Sequence, residues 1–243
     1  MRRFAAEQSL SLAFLALFLV ALAGQAIAGW NDYNNLETWH AQLAGEPPET
    51  LSLGRSLTSS SFAQAVTENW QSEYLQFTLF ILLTVWLVQK GSPESKRPGE
   101  SGGGTDEEQL GEHAQPDSPR WARAGGWRGG LYANSLVLVM GSIWLWSWFA
   151  QSVSGWSENN ASRLEHEQAP LSWAGYLGSA DFWQTTLQNW QSEFLAVGSM
   201  AVLAVHLHQR GSPESKPVGM PHGANVTSPK ARPTKECLAW QAK

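Results

Sequence analysis

The chain has 243 residues and a net charge of −5, from 16 Lys+Arg against 21 Asp+Glu. Only 15% of residues are charged while 14 are tryptophan, so no basic excess exists to neutralise phosphates and a nucleic-acid binder is excluded. The single cysteine, Cys237, excludes a disulfide framework and a multi-cysteine zinc site.

After Arg2 and Arg3, Leu10 to Gly29 is an uncharged run of twenty residues. At 1.5 Å per residue, about 20 apolar residues cross a hydrocarbon layer of about 30 Å. A cleaved signal peptide fits the same segment, with Ala26-Ile-Ala28 as its cleavage site. Against cleavage, the matching segment of the second half is internal. Leu51-Ser-Leu53 through Phe62 then reads as a stretch that folds back on the membrane surface.

The next apolar run, Tyr74 to Val88, is short, but Ser61-Phe-Ala-Gln64 upstream reads as a capping box. The spacing predicts one continuous helix from Ser61 to Val88, long enough to span. Gly91 supplies a left-handed stop and Pro93 prevents resumption. The expected first membrane repeat is 1–98. Residues 99–130, rich in Gly, Pro, Glu and Ser, lack the apolar content for a core and are expected to be structureless. Within them, Trp121 and Trp127 stand among Arg120, Arg123 and Arg128, a mixture suited to lipid headgroups.

Leu131 to Gly155 is the third apolar run, and Phe194 to Leu207 is the fourth, its helix expected to start at a second capping box, Asp181-Phe-Trp-Gln184. These predict a second repeat over 131–216, followed by a structureless tail over 217–243. The predicted fold is therefore all-α, a four-helix transmembrane bundle of two tandem parallel two-helix repeats. Of the 16 basic residues, 14 lie at the N-terminus, in the middle linker or in the tail, and only Arg55 and Arg163 lie in the other loops. The positive-inside rule then places both termini in the cytoplasm.

The repetition is explicit. Asn-Trp-Gln-Ser-Glu occurs at 69–73 and 189–193, and Gly-Ser-Pro-Glu-Ser-Lys at 91–96 and 211–216, both offset by 120. Residues 69–96 and 189–216 share 16 identities in 28 positions. Upstream, Gln25-x-x-x-Gly29-Trp30 matches Gln151-x-x-x-Gly155-Trp156 at an offset of 126.

The pentapeptide holds the candidate site. On a helix, Asn69, Ser72 and Glu73 share one polar stripe, repeated as Asn189, Ser192 and Glu193. Gln25 and Gln151 end the neighbouring helices at similar depth. An acid within hydrocarbon costs about 2.5–3.5 kcal/mol at the bilayer centre, so Glu73 and Glu193 are expected to face the bundle interior with the two glutamines in reach. Two readings follow, a polar clasp that sets helix register or an ion or small-substrate site. Trp30, Trp70, Trp156 and Trp190 are expected interfacial anchors. His206 and His208, two residues apart, point away from each other on a helix and cannot share a metal. Asn160-Ala-Ser162 matches a glycosylation sequon.

No nucleotide loop, nucleophile elbow or metal-ligand cluster is present in the sequence, so neither catalysis nor a cofactor is expected. The expected partners are the lipid bilayer and a protein of unspecified kind. The run of Gln-Ala-x-Ala-Gly-Trp, Asn-Trp-Gln-Ser-Glu-Phe/Tyr-Leu and Gln-Lys/Arg-Gly-Ser-Pro-Glu-Ser-Lys resembles a family of small bacterial integral membrane proteins labelled only as a domain of unknown function. The resemblance covers roughly residues 8–98 and 131–217. It implies a bacterial inner-membrane setting and supplies no activity or catalytic residues. A structural or interaction protein is the first expectation, and a small transporter or channel using a Glu73/Glu193 layer the second.

Overall fold

A computed structural model describes residues 2–96, 109–124 and 126–225. Among them the fold is all-α. The helices are α1 (Arg2–Glu7), α2 (Ser9–Ala44), α3 (Leu53–Leu57), α4 (Ser60–Trp86), α5 (Gly126–Ala133), α6 (Ser135–Glu165), α7 (Trp173–Leu177) and α8 (Ala180–His206), with a 3-10 turn at Gly111–His113.

Helix α2 runs well past the apolar segment that starts it, because no proline interrupts residues 9–44. It stops at Gly45, whose φ of 71° is left-handed and whose N–H returns to the Ala41 carbonyl. Its 36 residues reach about 54 Å at 1.5 Å each. Helices α2 and α6 are long and apolar enough to cross a membrane. The most apolar window of α2 has none of its residues buried by the rest of the fold. Phe14, Leu17 and Val20 are 65, 64 and 72% exposed.

Helices α4 and α8 are each unbroken, as the spacing predicts, but their caps differ from expectation. Ser59 Oγ accepts from the Phe62 N–H at 3.2 Å and Ser179 Oγ from the Phe182 N–H at 3.3 Å. Ser61 and Asp181 therefore lie inside the first turn and are not caps. Gln64 bonds Glu68 and does not return to a cap residue. The reason is local: the turn closing each preceding short helix, with the Ser59 and Ser179 N–H groups on the Ser56 and Tyr176 carbonyls at 3.1 and 2.9 Å, delivers these serines to the starts of α4 and α8. Ser59→Ala and Ser179→Ala should each cost about 1 kcal/mol, and Ser61→Ala much less. Thermal unfolding in detergent, followed by helical circular dichroism, measures this.

The described residues divide into two compact units, Met1–Glu68 with Phe149–Phe182, and Asn69–Trp148 with Trp183–Lys243. In the first unit the same strap is built twice. Trp30 Nε1 and Asn34 Nδ2 donate to the Leu51 carbonyl at 2.6 and 3.0 Å, and the Leu51 N–H donates to Asn34 Oδ1 at 2.7 Å. Trp156, Asn160 and Leu171 repeat this at 2.7, 3.0 and 2.8 Å. The straps hold the start of each return segment against its long helix. They also occupy Asn160, whose amide in the sequon is engaged on both atoms, within a helix.

In the second unit the duplicated hexapeptide closes α4 and α8. The Ser92 and Ser212 N–H groups bond the Gln89 and Gln209 carbonyls at 3.2 and 3.3 Å. Gly91 and Gly211 take φ of 88° and 82°, the left-handed third position that a type II turn demands. Ser95 and Ser215 accept from the Gln89 and Gln209 N–H groups, both at 2.8 Å. Lys96 and Lys216 reach back to the Val85 and Val205 carbonyls. The hexapeptide is thus a complete C-terminal cap, with its lysine at the negative end of the helix dipole.

Two stretches expected to be structureless carry structure in part. Residues 109–124 hold turns and the 3-10 helix, α5 begins at Gly126, and Asn225 in the tail is 3% exposed. Carbonyls of the turn after α4 recruit Asn225, and residues 109–124 are tied by backbone bonds of their own such as Gly111 N–H to the Ala122 carbonyl at 2.9 Å, neither of which composition registers. The remainder of that expectation, at 99–108, 125 and 226–243, lies outside the described residues, as does Cys237.

Candidate functional site

The repeated pentapeptide does bring polar side chains inward, but not the predicted set. The buried face of α4 in the second unit is Gln71, Ser72, Leu75 and Thr78. Gln71 is fully buried and its Oε1 accepts from Trp190 Nε1 at 2.7 Å. Asn69 and Glu73 are exposed. The inward stripe is therefore rotated by about one position from that expected, and Glu73 does not face the interior. Two adjacent stripes of this helix are polar, and an amide is far cheaper to bury than a carboxylate.

The second copy is placed differently. Glu193 and Asn189 are half-buried and Ser192 is exposed. Asn189 Nδ2 and Ser192 Oγ bond backbone carbonyls of their own helix at 3.0 and 2.8 Å. Glu193 is hydrogen-bonded to Ser72, with Glu73 close enough to repel it. Ser72 is thus the one residue of the first predicted stripe that is buried and engaged. Trp190, expected as an interfacial anchor, is half-buried with its N–H spent on Gln71. Trp70 is 41% exposed.

Trp190 also belongs to an aromatic cluster that periodicity alone does not single out. Trp148 lies 6.0 Å from Trp144, 5.8 Å from Trp190 and 6.3 Å from Trp183, centroid to centroid. Its Nε1 approaches Thr186 Oγ1 at 3.5 Å, and Thr186 is fully buried. The signal in the sequence is Trp144-x-x-x-Trp148, one helical turn apart.

Gln25 and Gln151 belong to the first unit. Gln25 is exposed, and Gln151 is 1% exposed with an Oε1 that has no hydrogen-bond partner among the described residues. The expected anchors Trp30 and Trp156 use their indole N–H groups in the straps described above. In the same unit Tyr176 is 1% exposed. Burial, with Asp181 and Glu68 nearby, holds its phenol well above the ordinary value.

At the hexapeptide caps of the second unit, burial pushes the Glu94 carboxyl above the usual range, and its counterpart Glu214 adds to the shift. His222 of the tail brings its ring 5.1 Å from His206 and 5.9 Å from His208. The Nδ1 atoms of His208 and His222 lie 3.2 Å from the Lys216 and Val205 carbonyls, which fixes both rings on backbone. Neither the polar face of α4 nor these caps sets a nucleophile against a base.

No curated protein and no solved structure matches the chain. The family described as Domain of unknown function (DUF6766) matches over residues 1–227, and the chain, with its paired straps and paired caps, belongs to that family.

Proposed function

We propose that this is a multi-pass protein of the bacterial plasma membrane with a structural or interaction role and no catalytic activity. One observation carries the membrane reading: the N-terminal stretch of α2 is apolar around its whole circumference, and no described residue covers it. A helix hydrophobic on all sides and left bare suits lipid, not water. Helix α6 has the same character, with 17% of its window buried.

The finer reading has four spans, α2, α4, α6 and α8, arranged as two repeats that each cross twice. Recurrence of straps, caps and helix starts at offsets of 126 and 120 supports it, as does the basic charge gathered on one side. The interaction role rests on what the duplicated segments do: they close helices and secure return segments instead of lining a path. Transport through a Glu73/Glu193 layer finds support in the Ser72–Glu193 contact alone. The exposure of Glu73 and the apolar run Leu79 to Leu83 speak for the clasp.

Reporter fusions at Glu46, Gly103, Gln168 and Lys243 should read outside, inside, outside, inside. An inside signal at Glu46 or an outside signal at Gly103 would refute the four-span reading.

A further inference from the structure

The two straps of the first unit are alike, but what lies beneath them is not. In the second copy, a Cβ placed on Gly155 would collide with the Tyr176 hydroxyl. Tyr176 fills that space, with the Phe182 ring 5.6 Å away. The corresponding residues of the first copy are Gly29, by the helix offset of 126, and Ser56, by the loop offset of 120. Nothing lies within 4 Å of a Cβ placed on Gly29. Where one copy has a buried phenol, the other has a serine and a cavity of about 290 Å³ lined by both Gly29 and Ser56.

The chemistry of the remaining wall is one-sided. Trp30, Tyr33 and Phe62 contribute rings, Glu158 and Glu165 contribute carboxylates, and no Lys, Arg or His takes part. The Trp30 indole is pinned by its bond to the Leu51 carbonyl at 2.6 Å. Glu158 Oε2 accepts from Ser60 Oγ at 2.9 Å. The one salt bridge among the described residues joins Arg3 and Glu7, so neither wall carboxylate is neutralised by a basic side chain. Glu37 and Glu49 add their charge at Tyr33.

We propose that this cavity binds a small organic ammonium ion. Carboxylates balance its charge, and aromatic faces attract a cation whose alkyl groups also need an apolar surface. An anion is repelled by the same wall. A bare metal ion of the hard class requires six to eight oxygen ligands, whereas this lining sets two carboxylates among three aromatic rings and neutral side chains. The preference for one copy follows from the duplication, since only the first copy lacks the tyrosine.

The test uses the full chain in detergent micelles and tetramethylammonium as probe, with tert-butanol as its uncharged counterpart. Saturation-transfer NMR should show contact with tetramethylammonium and none with tert-butanol. Ser56→Tyr, which installs the ring of the other copy, should abolish the transfer. Glu158→Gln should weaken binding about tenfold or more. Circular dichroism checks that each variant keeps its helices. If Ser56→Tyr fails to fold, Glu158→Gln combined with Glu165→Gln tests the same cavity by loss of binding. Absence of binding to the unaltered chain, equal transfer to tert-butanol, or unchanged binding in the folded variants would overturn the proposal. Binding in micelles is read without reference to topology, so its failure leaves the four-span reading standing, and failure of the fusions leaves the cavity standing.

Discussion

Lys216→Met should lower the stability of the detergent-solubilised protein by about 2–3 kcal/mol, a loss in the range of hydrogen bonds to a charged group. Lys216 is 1% exposed, and its ammonium donates to the carbonyls of Val205, His222 and Pro221 at 2.9, 2.8 and 3.4 Å. Three donors thus meet three acceptors. Val205 belongs to the last turn of α8, where carbonyls have no partner within the helix and the dipole favours a cation. Methionine keeps the apolar stem and deletes only the charge and its donors, so the loss reports on this cap. Lys96 is the control. It reaches the equivalent Val85 carbonyl from a more exposed position, so Lys96→Met should cost under about 1 kcal/mol. Thermal unfolding followed by circular dichroism compares the two. Equal effects would mean that burial of Lys216 adds nothing.

Asn225→Ala should release the tail from the first hexapeptide turn and speed amide exchange at residues 89–96 by about 30-fold or more, the equivalent of some 2 kcal/mol. Asn225 Nδ2 is within reach of the carbonyls of Gln89, Ser92, Ser95 and Lys96 at 3.2, 3.2, 2.9 and 3.5 Å. Its Oδ1 accepts from the Gly91 N–H at 2.9 Å. Removing the amide strands a ring of buried backbone groups, which is costlier than never having built the contact. Asn225→Asp keeps the acceptor for Gly91 but turns a carboxylate oxygen toward the carbonyls, and should protect no better than alanine. Hydrogen–deuterium exchange with mass spectrometry reads both. The second turn provides an internal standard, because Gly211 is exposed where Gly91 is buried and its exchange should not change. Unaltered exchange at 89–96 would show that Asn225 does not hold the turn.

The helical character, the continuity of α4 and α8, and the glycines that end them are legible in residue order alone. Those features are local. Apolar periodicity, absence of proline and a left-handed glycine each act within a few residues, and the repeats at 69–96 and 189–216 state them twice. Residue order also points to the pentapeptide as the place where polar groups turn inward.

Packing selects which of them do so. Gln71 and Glu73 lie on neighbouring stripes of one helix; an amide costs less to bury than a carboxylate, and the Trp190 indole opposite Gln71 gives that amide its partner. The straps are hidden in the sequence because their acceptors at Leu51 and Leu171 are backbone carbonyls, which every residue has. The cap serine at 59 is hidden among the hydroxyls of Thr58, Ser60 and Ser61, and that at 179 beside the rival Asp181, until the preceding turns place them. The cavity under the first strap depends on a comparison across two offsets, 126 for Gly29 and Gly155 and 120 for Ser56 and Tyr176. Whether a tyrosine fills a space or a serine leaves it open is a property of packing, because volume exists only once both walls are in place.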